Sequence, residues 1–182
     1  MSTAYKFNNP QGIYFVTFAT VQWVDVFVRR NYQEILLDSL RYCIKNKGLA
    51  IYAWCLMPSH IHIIMSADGQ QKPFEIIRDL KKFTSGNLMK AIRETEISRK
   101  SWMLWLFSSA GKENPNNKTY QFWQQDNHPI ELETNHFIDQ KLNYIHNNPV
   151  EAGFAENPED YLLSSARDYA GKTGLLPIFL IQ

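Results

Sequence analysis

No apolar run in this sequence reaches half the roughly 20 residues that a membrane-crossing helix needs; the stretch ending at Met57 comes nearest and stops at Pro58. A transmembrane helix is therefore not expected. Cysteine is scarce: Cys43 and Cys55 stand apart without CxxC spacing, which argues against a zinc ribbon or a disulfide framework and fits a reducing compartment. The opening residues, MSTAYKFNNPQG, hold no basic cluster followed by an apolar stretch, so no export signal is read and a cytoplasmic location is expected. Internal repeats and low-complexity segments are missing too. So is an excess of one charge: 19 Lys and Arg against 18 Asp and Glu leave a net +1, a poor fit to a protein that only coats nucleic acid.

What is present suffices for a packed core. The 182 residues are 45% apolar and 14% aromatic, and one domain spanning 1–182 is expected. Charge is spread unevenly: Met1 to Gln125 carries 16 basic against 9 acidic residues, a balance of +7, whereas Asp126 to Gln182 carries 3 against 9, a balance of −6. The first two thirds can thus meet a polyanion, although solvated helix faces explain the same counts.

Ile13 to Gln22 is rich in β-branched and aromatic residues and reads as a first strand. Arg30 to Lys47 has apolar residues at helical spacing and stops at Gly48. Leu49 to Met57 and His60 to Ser66, joined by Pro58-Ser59, read as an antiparallel hairpin. Pro73 opens a long amphipathic helix with Ile76, Ile77, Leu80, Phe83 and Leu88 on one side and Arg78, Lys81, Lys82 and Lys90 on the other. Within Ser98 to Lys118, Trp102, Leu106 and Ser109 fit a helix and the residues from Gly111 to Asn117 a loop. Thr119 to Trp123 and Ile130 to Glu133 read as short strands around a turn at Asp126-Asn127, and Thr134 as the N-cap of a helix to about Asn147, ended by Pro149. A short helix is read near Leu162 to Tyr169. This order predicts an α+β fold of the ferredoxin-like, split βαβ kind: an antiparallel sheet with helices on one face and an extra C-terminal helix bearing Tyr144.

Two patterns carry chemistry. His60 and His62 alternate with Ile61 on a strand, so both imidazoles point to one face with Cα atoms roughly 6.6 Å apart, close enough to share a metal ion. Two surface or hydrogen-bonded histidines would look the same. At about 100° per residue, Ile138, Leu142 and Ile145 form the buried stripe of the late helix. Tyr144 and Asn148, one turn apart, project from another side about 100° away, so this phenol is not an obvious core filler.

The segments MPSHIHIIM, FWQQDNHPIEL, LNYIHNNPVEAG and PEDYLLSSARDY, in this order, resemble the single-tyrosine transposases of small bacterial insertion sequences, most closely the REP-associated tyrosine transposases. The resemblance runs from the Phe15-Val-Thr-Phe strand to Tyr169. It implies that His60 and His62 bind a divalent metal, that Tyr144 attacks single-stranded DNA, and that Asn148 completes the metal site. Two neutral imidazoles and one amide would hold Mg2+ or Mn2+ weakly until phosphate oxygens complete the shell. The partner implied is single-stranded DNA carrying a hairpin, laid along Arg78, Lys81, Lys82 and Lys90. Relatives include dimers that supply the tyrosine helix in trans and others that act as monomers, so a homodimer is left open. Glu151 departs from the family, which usually has a basic residue there. His128 belongs to the motif, and a structural hydrogen bond is its expected role. Trp102, Trp105 and Trp123 are candidates for base stacking, with core packing expected for at least two of them.

Two rivals remain at this level. One is a zinc hydrolase using His60, His62 and either His128 or Asp126 with an activated water. The other is a domesticated DNA-binding protein that no longer cuts.

Overall fold

The computed structural model describes residues 6–115, 119–125 and 127–181. Four strands, β1 (Tyr14–Ala19), β2 (Leu49–Leu56), β3 (His60–Ala67) and β4 (Ile130–Glu131), form an antiparallel sheet in the order β2-β3-β1-β4. With α1 (Arg30–Asn46) after β1 and α2 (Pro73–Glu94) after β3, this is the ferredoxin-like arrangement read from the sequence. α3 (Lys100–Glu113), α4 (Asn135–Glu151) and the short α5 (Ala166–Tyr169) are added to it. Among the described residues no helix is long and apolar enough to cross a membrane.

The period of two along each strand sorts side chains into two layers. Tyr14, Val16 and Phe18 of β1 and Ile61, Ile63 and Met65 of β3 join Leu36, Leu40, Ile76, Ile77, Leu88 and Phe107 in the larger core, under α1, α2 and α3. Phe15, Ala53, Cys55 and Ile64 join Ile138 and Ile145 of α4 in a smaller core on the other face. The face bearing His60 and His62 was expected to be open. It is instead roofed by α4, because the stripe of Ile138 and Ile145 needs an apolar surface and that face offers one.

Other boundaries differ for local reasons. β1 ends at Ala19, since Gln22 and Trp23 take left-handed conformations (φ 51° and 55°). Phe83 is 63% exposed: the buried stripe of α2 passes about 100° away from it, and Thr84 takes the inward place. α3 continues through Gly111 to Glu113, where a loop was expected; Gly111 lets the helix approach the backbone of Tyr120. Thr119 to Trp123 is no strand. It makes one bridge, Thr20 to Trp123, and meets its neighbours irregularly through Gln121 N to Phe107 O and Val21 N to Phe122 O. Lys118 and the Asp126 half of the expected turn lie outside the described residues.

Thr134 caps α4 as expected, its hydroxyl accepting from Phe137 N. Pro149 does not end that helix. Its missing N–H removes one bond near the C-terminus, and the end comes at Gly153 (φ 75°). There the N–H groups of Gly153 and Phe154 reach the carbonyls of Val150 and Pro149 at 2.9 and 2.8 Å, a Schellman closure.

The C-terminal segment completes the sheet. The outward backbone groups of β2 are met in turn: Ile51 O by Phe179 N (2.9 Å), Trp54 O by Ser165 N (2.9 Å) and Leu56 N by Leu163 O (2.8 Å). Side chains fill between them, with the hydroxyls of Tyr169 on Tyr52 O at 3.0 Å, Ser165 on Trp54 N at 2.9 Å and Tyr161 on Leu56 O at 2.9 Å.

Candidate active site

β3 begins at His60, and its pleat turns His60 and His62 toward α4. Their rings meet edge to face with centroids 4.7 Å apart. Thr17 is directly opposite His62 in the register, and its hydroxyl oxygen lies 2.6 Å from His62 Nδ1. Phe15, two residues earlier on the same face, stacks on the His62 ring at 5.6 Å. His62 is 4% exposed, and its Nε2 is buried with no hydrogen-bond partner among the described residues. His60 is half-buried; its Nδ1 lies 3.2 Å from Ser59 Oγ, and its ring meets the exposed Trp23 at 5.1 Å. Burial holds His60 down to about 4. Burial, with the His60 ring and the Lys141 ammonium adding to it, holds His62 down to about 3. Both rings are therefore neutral at neutral pH, the state in which an imidazole nitrogen can donate to a metal.

α4 brings the tyrosine to them. Ile138 and Ile145 sink into the smaller core, and the buried His146 places Nε2 2.9 Å from Ser165 Oγ, which is itself bonded to β2. So anchored, α4 stands the Tyr144 ring edge to face with His62 at 5.2 Å. Tyr144 is 41% exposed and its hydroxyl has no hydrogen-bond partner among the described residues. Asn148, one turn further along α4, is half-buried with no side-chain hydrogen bond among the described residues.

The basic residues of α2 are not part of this cluster, because α2 packs on the opposite face of the sheet. Arg78 bonds Asp79 at 2.9 Å. Lys81 reaches Gln124 O at 2.7 Å and Asn127 Oδ1 at 2.6 Å, pinning the segment that leads to β4. Lys82 is exposed, and Lys90 faces Glu94 at 3.9 Å. Trp102 and Trp105, exposed at 44% and 66%, overturn the expectation of core packing. Trp123 meets it, buried with its indole N–H on Thr84 Oγ1 at 3.0 Å. A cavity of about 1230 Å³ lies between α1 and α2, on the far side of the sheet from the histidines.

Among the described residues no three His, Cys, Asp or Glu side chains converge to hold a metal. His128 is exposed with φ 40°, and Asp126 lies outside the described residues. The donors that do converge are two imidazoles. Sequence reading missed Thr17, Phe15 and Lys141. Thr17 and Phe15 were signalled only by their place in Phe15-Val-Thr-Phe, whose alternate residues share the histidines' face once the register is known. Lys141 gave no signal, since a lone lysine on a helix reads as solvated.

A family model described as "Transposase IS200 like" matches residues 11–109, a span that contains both histidines and stops before α4. No curated protein matches the chain. Among solved structures, the chain is similar to a REP-associated tyrosine transposase bound to a REP hairpin, with a TM-score of 0.67 and 17% identity, covering 100% of this chain and 94% of that one. It also matches a Deinococcus radiodurans protein provisionally named a transposase, with a TM-score of 0.47 and 19% identity, covering 81% of this chain and 97% of that one.

Proposed function

The chain belongs to the IS200-like transposase family, whose model spans more than half of it, and from that premise we propose that it cuts and rejoins single-stranded DNA with Tyr144 as the nucleophile. The observation that carries the reading is the exposed phenol 5.2 Å, ring to ring, from a buried neutral histidine whose Nε2 has no partner among the described residues.

An orphaned buried nitrogen is costly unless something fills the place beside it. In the tautomer whose Nδ1–H donates to the Thr17 hydroxyl oxygen, 2.6 Å away, His62 Nε2 carries the lone pair, the arrangement found where a second partner orients a metal-binding imidazole. The residues thus fit a divalent cation, Mg2+ or Mn2+, held by His60 and His62, with the Asn148 amide as the third donor. Bound there, the ion would offset charge growing on the nonbridging and leaving oxygens of the phosphodiester.

This chain's own residues do the rest. α4 holds the Tyr144 oxygen free of competing hydrogen bonds, ready to attack phosphorus. The new bond joins the phenol oxygen to phosphorus and the bond to the 3′ oxygen breaks. The phenol proton goes to solvent, the 3′ oxygen takes one up, and a 5′-phosphotyrosine remains. Because the phosphodiester energy is kept in that link, another strand's 3′-hydroxyl can attack it and rejoin DNA without ATP. The hairpin bound by the structural relative suggests the substrate, a folded hairpin with an unpaired flank.

The test is incubation with hairpin-bearing single-stranded oligonucleotides and Mn2+, followed by a denaturing gel. A covalent adduct is expected from the wild type and none from Tyr144→Phe, whose DNA affinity should stay within a few-fold. Cleavage by Tyr144→Phe at the wild-type rate would refute the tyrosine mechanism and favour activated water.

A further inference from the structure

Four lysines among the described residues are half-buried: Lys47, Lys81, Lys100 and Lys141. Three have an oxygen against the ammonium, on Asp79 at 2.6 Å, Asn127 at 2.6 Å and Glu96 at 2.6 Å. Lys141 has none among the described residues. Its Nζ lies instead over two aromatic rings, 4.7 Å from the centroid of Phe15 and 5.5 Å from that of Tyr144. Ring faces compensate a cation only in part, and a charge drawn out of water without a counter-ion is unfavourable.

Among the described residues no carboxylate pairs with the Lys141 ammonium. The ring of Tyr144 lies on this side of the ammonium, and the His62 ring meets both Tyr144 and Phe15, at 5.2 and 5.6 Å. Phe15 and Tyr144 fix the ammonium one turn before the nucleophile, on the side of α4 that faces the histidines. The arrangement sets a positive charge beside the ring of the attacking tyrosine.

We propose that Lys141 holds a nonbridging oxygen of the scissile phosphodiester while Tyr144 attacks, a role that rests on the tyrosine reading above. An ammonium placed where negative charge grows stabilises the transition state more than the ground state. Lys141 is then a catalytic residue alongside the metal-binding pair.

Lys141→Met keeps an unbranched stem against Phe15 and removes the charge; Lys141→Gln serves as a second neutral variant, and Lys141→Arg keeps the charge. The wild-type adduct maps the cleavage position in a hairpin oligonucleotide, and a second oligonucleotide then carries one neutral methylphosphonate there. Adduct formation in a single turnover should fall roughly 10²-fold in both neutral variants and recover to within about tenfold in Lys141→Arg, with unchanged thermal midpoints. In a Tyr144→Phe background, either neutral substitution should weaken binding of the phosphodiester DNA several-fold and leave binding of the methylphosphonate DNA unchanged. Equal weakening toward both DNAs would mean a packing role or a contact elsewhere on the strand, and would overturn the proposal. So would wild-type cleavage rates in Lys141→Met or Lys141→Gln. A wild type that forms no adduct on any hairpin DNA sinks the tyrosine reading itself, whereas a normal wild-type adduct with undiminished neutral variants sinks only the role of Lys141.

Discussion

Replacing Ser165 with alanine should loosen the tyrosine helix without touching the tyrosine. The Ser165 hydroxyl is fully buried and uses every capacity it has. It accepts from Trp54 N at 2.9 Å and lies 2.9 Å from His146 Nε2, and its own proton reaches Trp54 O at 3.2 Å. Alanine leaves Trp54 O paired, since Ser165 N still donates to it at 2.9 Å. Trp54 N–H and His146 Nε2, however, lose their partner inside the protein. Each orphaned group costs about 1–3 kcal/mol, so the substitution should cost about 2–6 kcal/mol. Urea unfolding reads this directly: with a slope of about 2 kcal/mol per molar, the midpoint falls by about 1–3 M. Ser165→Ala combined with His146→Leu should cost about 1–2 kcal/mol less than the two single costs added, because one orphan no longer exists. Adduct formation should drop in Ser165→Ala as α4 loses its tie to β2. A loss below about 0.5 kcal/mol, or strict additivity in the double variant, would refute this account of how α4 is held.

His60→Ala and His62→Ala should both abolish the adduct, as should EDTA on the wild type, and cleavage persisting after chelation would end the metal reading. His62→Ala should also cost about 2–4 kcal/mol by calorimetry, since it empties a buried site and strands the Thr17 hydroxyl, while the half-buried His60 should cost less. Asp25 pairs with Arg99 at 2.6 Å, and that bond holds its carboxyl below the usual range. Its stabilising contribution is therefore complete above about pH 4, the ordinary carboxylate value, and is lost as pH falls through the lowered one. Thermal midpoints between pH 5 and pH 2 should fall less steeply in Asp25→Asn than in the wild type, and parallel curves would contradict this. Lys82→Ala should flatten the salt dependence of single-strand binding by roughly 0.7 in the log–log slope. Lys81→Ala should act chiefly on stability, because its ammonium is committed to Gln124 and Asn127; equal slopes for the two variants would be the wrong outcome.

The sheet and its main helices were legible because each rests on a local period. Alternation in Phe15-Val-Thr-Phe and His60-Ile-His-Ile, and helical spacing after Arg30 and Pro73, identify layers before any contact is known. The histidines and Tyr144 were legible from their motifs, and the structure brings them together. What could not be read was tertiary. Which surface receives the stripe of Ile138 and Ile145 is decided by the sheet, so the roof over the histidines was missed. Phe83 was placed on the buried stripe by its hydrophobicity, yet it lies about 100° from the stripe's centre, and hydrophobicity alone does not say which way a ring faces. Trp102 and Trp105 were misjudged the same way, by assigning large indoles to a core that Met103, Leu106 and Phe107 already fill on α3. Pro149 marked a helix end that came one turn later, since a proline in the last turn breaks a single bond and Gly153 supplies the closure.

The cover on β2 has a consequence during synthesis. Tyr161 and Ser165, which complete its outer edge, follow their partners by 105 and 111 positions. At about 5–20 residues per second, the ribosome makes that stretch in something on the order of ten seconds. Throughout that interval the strand Leu-Ala-Ile-Tyr-Ala-Trp-Cys-Leu presents an unpaired, largely apolar edge. Open edges of this kind join to like edges, and neighbouring ribosomes on one message hold identical copies of it at close range. Yield of active protein should therefore depend on how quickly translation passes from β2 to Ser165, a sensitivity that belongs to the nascent chain and disappears once the segment has docked.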